Sequence, residues 1–128
     1  MKGKNKEIIA RLYEAFGQRD MTMMSTLFDP NIEVRQSSLL PWGGTYKGFK
    51  GVVDLATKLL EKVDSQIKVD EFVEAGDQVI AIGWTQGTVR SSGRKFKVRA
   101  VHVWTLKKGR VLRFEAYIDT PKMLELLG

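Results

Sequence analysis

The chain has 128 residues, which suffices for one domain with its own hydrophobic core, and we expect a single domain over residues 1–128. It contains no cysteine, so disulfide bonds and thiolate chemistry are excluded. The formal net charge is +6, but the lysines and arginines are dispersed and no RNA-binding signature with interleaved aromatic residues appears, so we expect no nucleic-acid partner.

The first half of the chain predicts three helices and one strand. Apolar residues at helical spacing predict the first helix, which Gly17 ends, and Asp20 has the side chain of an N-cap for a short second helix. Asp29-Pro30-Asn31 predicts a turn. In chain order, the predicted elements are a helix over 8–16, a short helix over 23–28, a strand over 32–37, a loop over 38–48 and a helix over 49–63.

The second half predicts four strands and a final helical turn. Asp119, followed by Thr120-Pro121, is interpreted as the cap of this last turn rather than as a free carboxylate. Three helices followed by a mostly antiparallel sheet indicate the α+β class. The predicted strands cover 66–74, 77–89, 95–106 and 110–118, and the last turn covers 123–127.

His102 is the only histidine of the chain, and it lies on the apolar face of a predicted strand. An imidazole in an apolar wall is common in small-molecule pockets, because it can donate or accept a proton near neutral pH. The alternative is a hydrogen-bonded core histidine without a chemical role. The other residues on this face are Phe96, Val98, Ala100, Trp104 and Leu106.

The predicted turn at Ser92-Gly93 sets the pairing of the two central strands. It places Gly83 opposite His102, Ala81 opposite Trp104 and Thr85 opposite Ala100. Small residues then stand across from large ones, so we expect space beside the imidazole. A slip by one residue would turn every side chain to the other face.

The opposite face of the same two strands is also apolar. Its central residues are Ile82, Trp84, Val101 and Val103. The helices can cover only one face of the sheet, so we expect this second face to form a two-fold homodimer interface. The alternative is that Trp84 packs beneath a loop of its own chain.

Several segments resemble a known family over nearly the whole chain. They are Leu12-Tyr13-Glu14-Ala15-Phe16 with Asp20, Asp29 to Val34, Pro41 to Gly48, Lys108 to Val111, and Tyr117-Ile118-Asp119. This pattern is similar to the SnoaL-like branch of the nuclear-transport-factor-2-like superfamily, which also holds ketosteroid isomerases and limonene epoxide hydrolase. The resemblance implies a cone-shaped α+β barrel with a strongly curved sheet around the helices, a deep apolar pocket, and often a dimer through the outer sheet face.

The resemblance also implies where ketosteroid isomerases would have their catalytic groups. The base falls at Gln36, which cannot titrate, and the oxyanion tyrosine falls at Leu12, with Tyr13 beside it on another face of the helix. The protonated aspartate falls at His102, which could still donate a hydrogen bond to an oxyanion.

The catalytic groups of two other branches are mostly missing. The Asp-Arg-Asp set of the epoxide hydrolase falls at Thr85, Gly83 and Ala116, so all three groups are absent. In SnoaL-type aldol cyclases the histidine matches His102, but the aspartate falls at Ala116. One of two acid/base groups therefore remains.

The sequence leaves three functions open: binding of a small apolar carbonyl or ring compound, an isomerase or cyclase that uses His102 as acid/base, and a purely structural role. Gln36 either orients a ligand or simply satisfies His102, and Trp42 and Tyr46 are either lids or packing residues of their loop. We expect no metal, no cofactor, no membrane partner and a cytoplasmic location. The expected ligand-binding residues are Gln36, Trp42, Tyr46, Thr85, His102, Trp104, Phe114, Ala116 and Ile118.

Overall fold

The computed structural model describes residues 4–128, so the first three residues of the predicted domain lie outside the described part. The helices are α1 (Lys4–Gly17), α2 (Met21–Thr26), α3 (Gly48–Lys62) and α4 (Thr120–Leu127), and the strands are β1 (Phe28–Gln36), β2 (Gly44–Lys47), β3 (Val63–Ala75), β4 (Gln78–Val89), β5 (Lys95–Lys107) and β6 (Arg110–Ile118).

The six strands form one curled sheet in the order β2-β1-β6-β5-β4-β3. Every neighbouring pair is antiparallel except β1 and β6, which run parallel. Helix α1 packs on β3 and β4, and α3 packs on β1 and β3, so the helices cover the concave face. The predicted α+β cone is confirmed.

Both predicted caps are confirmed. The Asp20 carboxylate accepts a hydrogen bond from the Met23 amide at 3.0 Å and starts α2. The Asp119 carboxylate accepts one from the Lys122 amide at 3.2 Å and starts α4. A carboxylate at the N-terminus of a helix satisfies backbone donors that have no partner within the helix. The Asp119 carboxylate, directly after β6, is therefore a helix cap.

The region before α3 differs from its prediction. Strand β1 already begins at Phe28, and the predicted turn is an irregularity in its pairing with β6, where the register shifts between Phe28 and Glu33. The Asn31 amide donates to the Asp29 carboxylate at 2.8 Å, so the local bend is present inside the strand. The predicted loop contains a short strand, β2, in which Tyr46 pairs with Val34.

The predicted register of β4 and β5 is wrong by two residues. Ala81, not Gly83, stands opposite His102, while Gly83 faces Ala100 and Thr85 faces Val98. The Val89 amide bonds to the Arg94 carbonyl at 2.8 Å, so four residues rather than two connect the strands. A shift by two leaves every side chain on its predicted face.

Glycine is needed at position 83 because the backbone of β3 comes close to it, and not because space is needed on the concave side of the sheet. A Cβ atom at this position would lie 1.9 Å from the Lys68 carbonyl oxygen. This close approach occurs where β3 changes register between Val69 and Glu71. Glycine at 83 therefore lets the two backbones meet at the irregularity.

The core lies between the helices and the concave face. Helix α1 contributes Ile8, Ile9 and Leu12, and the strands contribute fully buried residues such as Val79 and Val111. In the described part of the chain, none of the helices combines the length and the apolar character that a membrane crossing requires.

Candidate functional site

A cavity of about 120 Å³ lies between the helices and the concave sheet face. Its wall is almost entirely apolar, and no Asp, Glu, Lys or Arg side chain from residues 4–128 lines it. The polar lining residues, apart from two tryptophans, are Tyr13, Gln36, Ser65, Thr85 and His102. The chemistry available to a molecule in this cavity is therefore that of uncharged hydrogen-bonding groups.

His102 is held by a chain of three side chains. The Trp104 indole N–H donates to the Tyr13 hydroxyl oxygen at 2.8 Å, and the same hydroxyl lies 2.6 Å from Nδ1 of His102. An indole nitrogen is a donor only, so the Tyr13 oxygen accepts there, and we assign the Tyr13 proton to Nδ1 of His102 because the hydroxyl then both accepts and donates. Nδ1 of His102 is thus an acceptor.

The protonation state of His102 follows from its burial. Loss of solvation lowers the pKa of the imidazole from its ordinary 6.5 to about 4. The ring is therefore neutral at pH 7, and because Nδ1 accepts from Tyr13, the single ring proton is on Nε2. Within residues 4–128, Nε2 has no hydrogen-bond partner. His102 lines the cavity, so Nε2–H is the edge left for a ligand.

Aromatic packing fixes the orientation of this group. The Phe114 ring lies 5.0 Å from the His102 ring and 4.2 Å from the Trp104 ring, measured between centroids. Burial also raises the pKa of the Tyr13 hydroxyl, which the Trp104 hydrogen bond offsets only in part. Tyr13 therefore keeps its proton and acts as a positioning donor to His102.

Gln36 makes no hydrogen bond to His102. One of the two interpretations of Gln36 that the sequence left open is therefore wrong. The side-chain oxygen of Gln36 accepts from the Trp42 indole N–H at 2.9 Å. The amide nitrogen of Gln36 has no partner in the described part of the chain. It is the second uncharged donor at the cavity wall.

Ala116 lies between the two donors. It pairs with His102 across β5 and β6, and Arg35 pairs with Glu115, so Gln36 comes next to Ala116 on the other side. Two strand spacings separate the backbones of Gln36 and His102, about 10 Å. The small side chain of Ala116 leaves the wall between the donors open.

The side chains of the loop residues Trp42 and Tyr46 are both held by hydrogen bonds. Trp42 is only 1% exposed, and although it touches the cavity it is fixed by Gln36. The Tyr46 hydroxyl lies 3.1 Å from the Trp42 carbonyl and 3.2 Å from the Gly43 carbonyl, and thus pins the loop. Tyr46 does not line the cavity, contrary to its predicted role.

The other residues that were predicted to bind a ligand lie around the cavity. Thr85, Trp104, Phe114, Ala116 and Ile118 all line it. Leu112, on the same strand as Phe114, is half-buried and does not line it. The register of β5 and β6 shifts between Thr105 and Leu106, which moves Leu112 out of alternation with Phe114.

Among the polar residues that line the cavity, Tyr13 and Ser65 were not predicted as ligand-binding residues. Tyr13 was expected on a different helix face from Leu12, but both line the cavity together with Phe16, because the concave sheet surrounds a wide sector of α1. The apolar pair Tyr13 and Phe16, three residues apart, was the available signal. Ser65 preceded the predicted start of its strand, so its burial was not expected.

The convex face carries the residues predicted for a dimer. Ile82, Trp84, Val101 and Val103 are half-buried there. The Trp84 indole N–H donates to the Asp70 carboxylate at 2.9 Å, and the Lys97 and Arg99 cations each lie 4.5 Å from its ring centroid. Side chains of the sheet, not a loop, flank Trp84.

No group of three metal-ligating side chains occurs within residues 4–128.

Comparison with known proteins agrees with the fold. A sequence profile of the SnoaL-like domain matches residues 9–114. An NTF2-like protein of unknown function from Burkholderia pseudomallei has 27% identity and a TM-score of 0.91, and one from Burkholderia thailandensis has 31% identity and a TM-score of 0.89; each comparison covers 97% of both chains. TerC, crystallised with polyporic acid, has 26% identity and a TM-score of 0.88, over 97% of this chain and 98% of its own. No curated protein sequence matches. The chain belongs to the SnoaL-like family of the nuclear-transport-factor-2-like superfamily.

Proposed function

We propose that this protein binds a small apolar compound with a carbonyl group, which accepts a hydrogen bond from Nε2–H of His102. The observation that carries the proposal is the Nε2–H donor of His102, which has no hydrogen-bond partner within residues 4–128 and lies in a largely apolar cavity. A buried donor without a partner costs about 1–3 kcal/mol, and a ligand acceptor recovers that cost. The apolar wall supplies affinity, and the donor selects the orientation.

The size of the cavity limits the ligand. Its volume of about 120 Å³ is close to that of an engineered protein cavity of about 150 Å³ that binds benzene. The part of the ligand beside His102 is therefore one ring or a group of similar size. Gln36 gives a second donor for another acceptor on the same ring.

A related protein supports small-molecule binding by this fold. TerC, at 26% identity over almost the whole chain, was crystallised with polyporic acid. The cavity of the present chain is lined by neutral groups, so we expect its ligand to be neutral as well. A buried charge without a partner is strongly unfavourable.

Binding fits the site better than acid/base catalysis. A base with a pKa of about 4 takes a proton poorly at neutral pH, and Nδ1 already accepts from Tyr13. One observation does favour an isomerase or cyclase as the second candidate: a fixed neutral N–H in a dry cavity can stabilise an oxyanion as it develops. Turnover of an enolisable cyclic ketone that is lost in a His102→Phe variant would support this candidate.

The binding proposal is tested with two probes of the same shape. Acetophenone carries the carbonyl oxygen, and isopropenylbenzene has a methylene group in its place. Calorimetry on the wild type is expected to give tighter binding of the ketone by about five-fold, the value of one hydrogen bond of roughly 1 kcal/mol. Binding of the ketone no better than of the hydrocarbon contradicts the proposal.

Two variants separate the donor from the cavity wall. His102→Phe keeps a ring but removes the donor, and it should remove the preference for the ketone. Ile118→Val also changes the lining, but it should weaken both probes alike and keep the preference. A preference that survives in His102→Phe means that another group binds the carbonyl.

We also propose that the convex face forms a two-fold homodimer. Ile82, Trp84, Val101 and Val103 continue into Val73 and Tyr117, which are 38% and 57% exposed. An apolar patch of this kind, with the Asp70, Lys97 and Arg99 side chains beside Trp84, is typical of an interface that combines apolar and charged contacts. Light scattering should give a dimer mass for the wild type and a monomer mass for Val103→Lys, whereas Asn31→Lys, on the exposed part of β1, should stay dimeric. A monomeric wild type refutes this proposal.

A further inference from the structure

The Ser65 hydroxyl is a buried polar group that has no hydrogen-bond partner in the described part of the chain. Its side chain is 1% exposed, and its hydroxyl oxygen makes no hydrogen bond with residues 4–128. Ser65 lines the cavity, and its backbone is held because its carbonyl accepts a hydrogen bond from Arg19. Buried hydroxyl groups in proteins are nearly always bonded, so an exception on a cavity wall requires an explanation.

Thr85 lies beside Ser65 in the same wall. Ser65 pairs with Gly87 and Thr85 pairs with Ile67, so the two hydroxyl residues are diagonal neighbours on one face of β3 and β4. Thr85 is 6% exposed, lines the cavity, and its hydroxyl also has no partner in the described part of the chain. Gly87 adds no side chain between them.

This pair is far from His102 along the sheet. Ala81 is the residue of β4 opposite His102, and Thr85 follows it four positions later. At about 3.3 Å per residue this separates the two levels by about 13 Å along the strand. The cavity wall therefore has hydrogen-bonding groups at two ends, with apolar side chains between them.

We propose that Ser65 and Thr85 form a second polar subsite, which binds a hydroxyl or carbonyl oxygen at the far end of the ligand. The inference rests on the proposed function, in which the ligand's ring carbonyl lies at His102. His102 and Ser65 line the same cavity, so a ligand whose ring lies at His102 reaches Ser65 only with an extended, narrow chain. The ligand class is thus a one-ring ketone with an unbranched chain that ends in an oxygen function.

Stability measurements distinguish a subsite from a structural role. A serine that bonds to its own protein loses stability when changed to alanine, because its partner is left unsatisfied. Ser65→Ala removes no such bond, and Thr85→Val keeps the shape of the side chain. Both variants should melt at or above the wild-type temperature. A clear decrease in the melting temperature of Ser65→Ala contradicts the subsite.

Binding is tested with a pair of ketones that differ only at the chain end. The probes are 4-pentylacetophenone and its analogue with a terminal hydroxyl. In an apolar cavity without a subsite the hydroxyl loses its hydration and weakens binding by about ten-fold or more. With the subsite, the wild type should bind the hydroxylated ketone at least as tightly as the alkyl ketone.

The variants then assign the effect. In Ser65→Ala/Thr85→Val the hydroxylated ketone should bind about ten-fold more weakly than the alkyl ketone. Ile67→Val, a matched change of an apolar lining residue on β3, should keep the wild-type ratio. His102→Phe should weaken both ketones and leave the ratio unchanged. A ratio that is the same in the double variant and the wild type overturns the subsite and leaves the proposed function intact.

A second measurement decides the matter even if no ketone binds. Crystals are soaked in 1-hexanol, which does not depend on the His102 donor for its position. The alcohol oxygen is expected within hydrogen-bond distance of Ser65 or Thr85 in the wild type, and not in the double variant. Water alone at this position, or an alcohol oriented toward His102, refutes the subsite.

Discussion

Because His102 is buried, its titration makes the free energy of unfolding depend on pH. The imidazole has a pKa of about 4 in the folded protein and about 6.5 in the unfolded chain. Between these values the unfolded chain binds a proton that the folded protein does not, so acid favours unfolding. Stability is complete above pH 6.5 and falls as the pH decreases toward 4.

The magnitude follows from the same difference. Each pH unit in this window costs about 1.4 kcal/mol, so the free energy of unfolding should be about 2 kcal/mol lower at pH 5.0 than at pH 7.5. By pH 4 the loss attributable to His102 reaches about 3 kcal/mol. No charged residue lines the cavity within the described part of the chain, so no cavity charge offsets this effect.

Urea denaturation at the two pH values measures the effect. The control is His102→Gln, which does not titrate and whose amide oxygen can accept the Tyr13 proton. The difference in pH dependence between wild type and variant isolates the histidine from the carboxyl groups, which titrate in both proteins. Equal pH dependence in the two proteins would refute a buried, neutral His102.

Two further predictions concern groups that the fold fixes. Tyr13→Phe leaves both Nδ1 of His102 and the Trp104 indole N–H without a partner, and should lower the free energy of unfolding by about 2–4 kcal/mol; a loss under about 0.5 kcal/mol would show that the three side chains are not linked as described. Asp119→Ala removes the cap of α4 and should cost about 1 kcal/mol in urea denaturation, whereas Asp119→Asn should cost much less; if Asp119→Ala also abolished ketone binding, the aspartate would have a role at the cavity.

The sequence predicted the faces of the sheet better than its registers. Alternation of apolar residues assigned His102 and Trp104 to one face and Trp84 to the other, which depends only on the two-residue period of a strand. The pairing of His102 with Ala81 instead of Gly83 depends on the length of one hairpin loop, and Ser92-Gly93 looked like a complete two-residue turn. Local periodicity therefore predicts which face of the sheet a side chain lies on, but it does not predict the register between two strands.

The site was predicted in part for a similar reason. His102 and Gln36 were identified as polar residues on an apolar face, but their partners come from elements that no local pattern connects. Tyr13 meets His102 from a helix 89 positions earlier in the chain, and Trp42 reaches Gln36 from a loop. Ser65 was outside the predicted strand, because β3 directly follows α3 without turn residues to mark the boundary.

Nitrogen-15 NMR of the His102 ring shows whether the imidazole is neutral and which of its nitrogens carries the proton. The protein has one histidine, so its two ring nitrogens can be assigned without ambiguity. We expect a neutral ring from pH 8 to pH 5, with the proton on Nε2 and a change in the Nε2–H signal when acetophenone is added. A proton on Nδ1, or a charged ring at pH 6, would contradict this expectation.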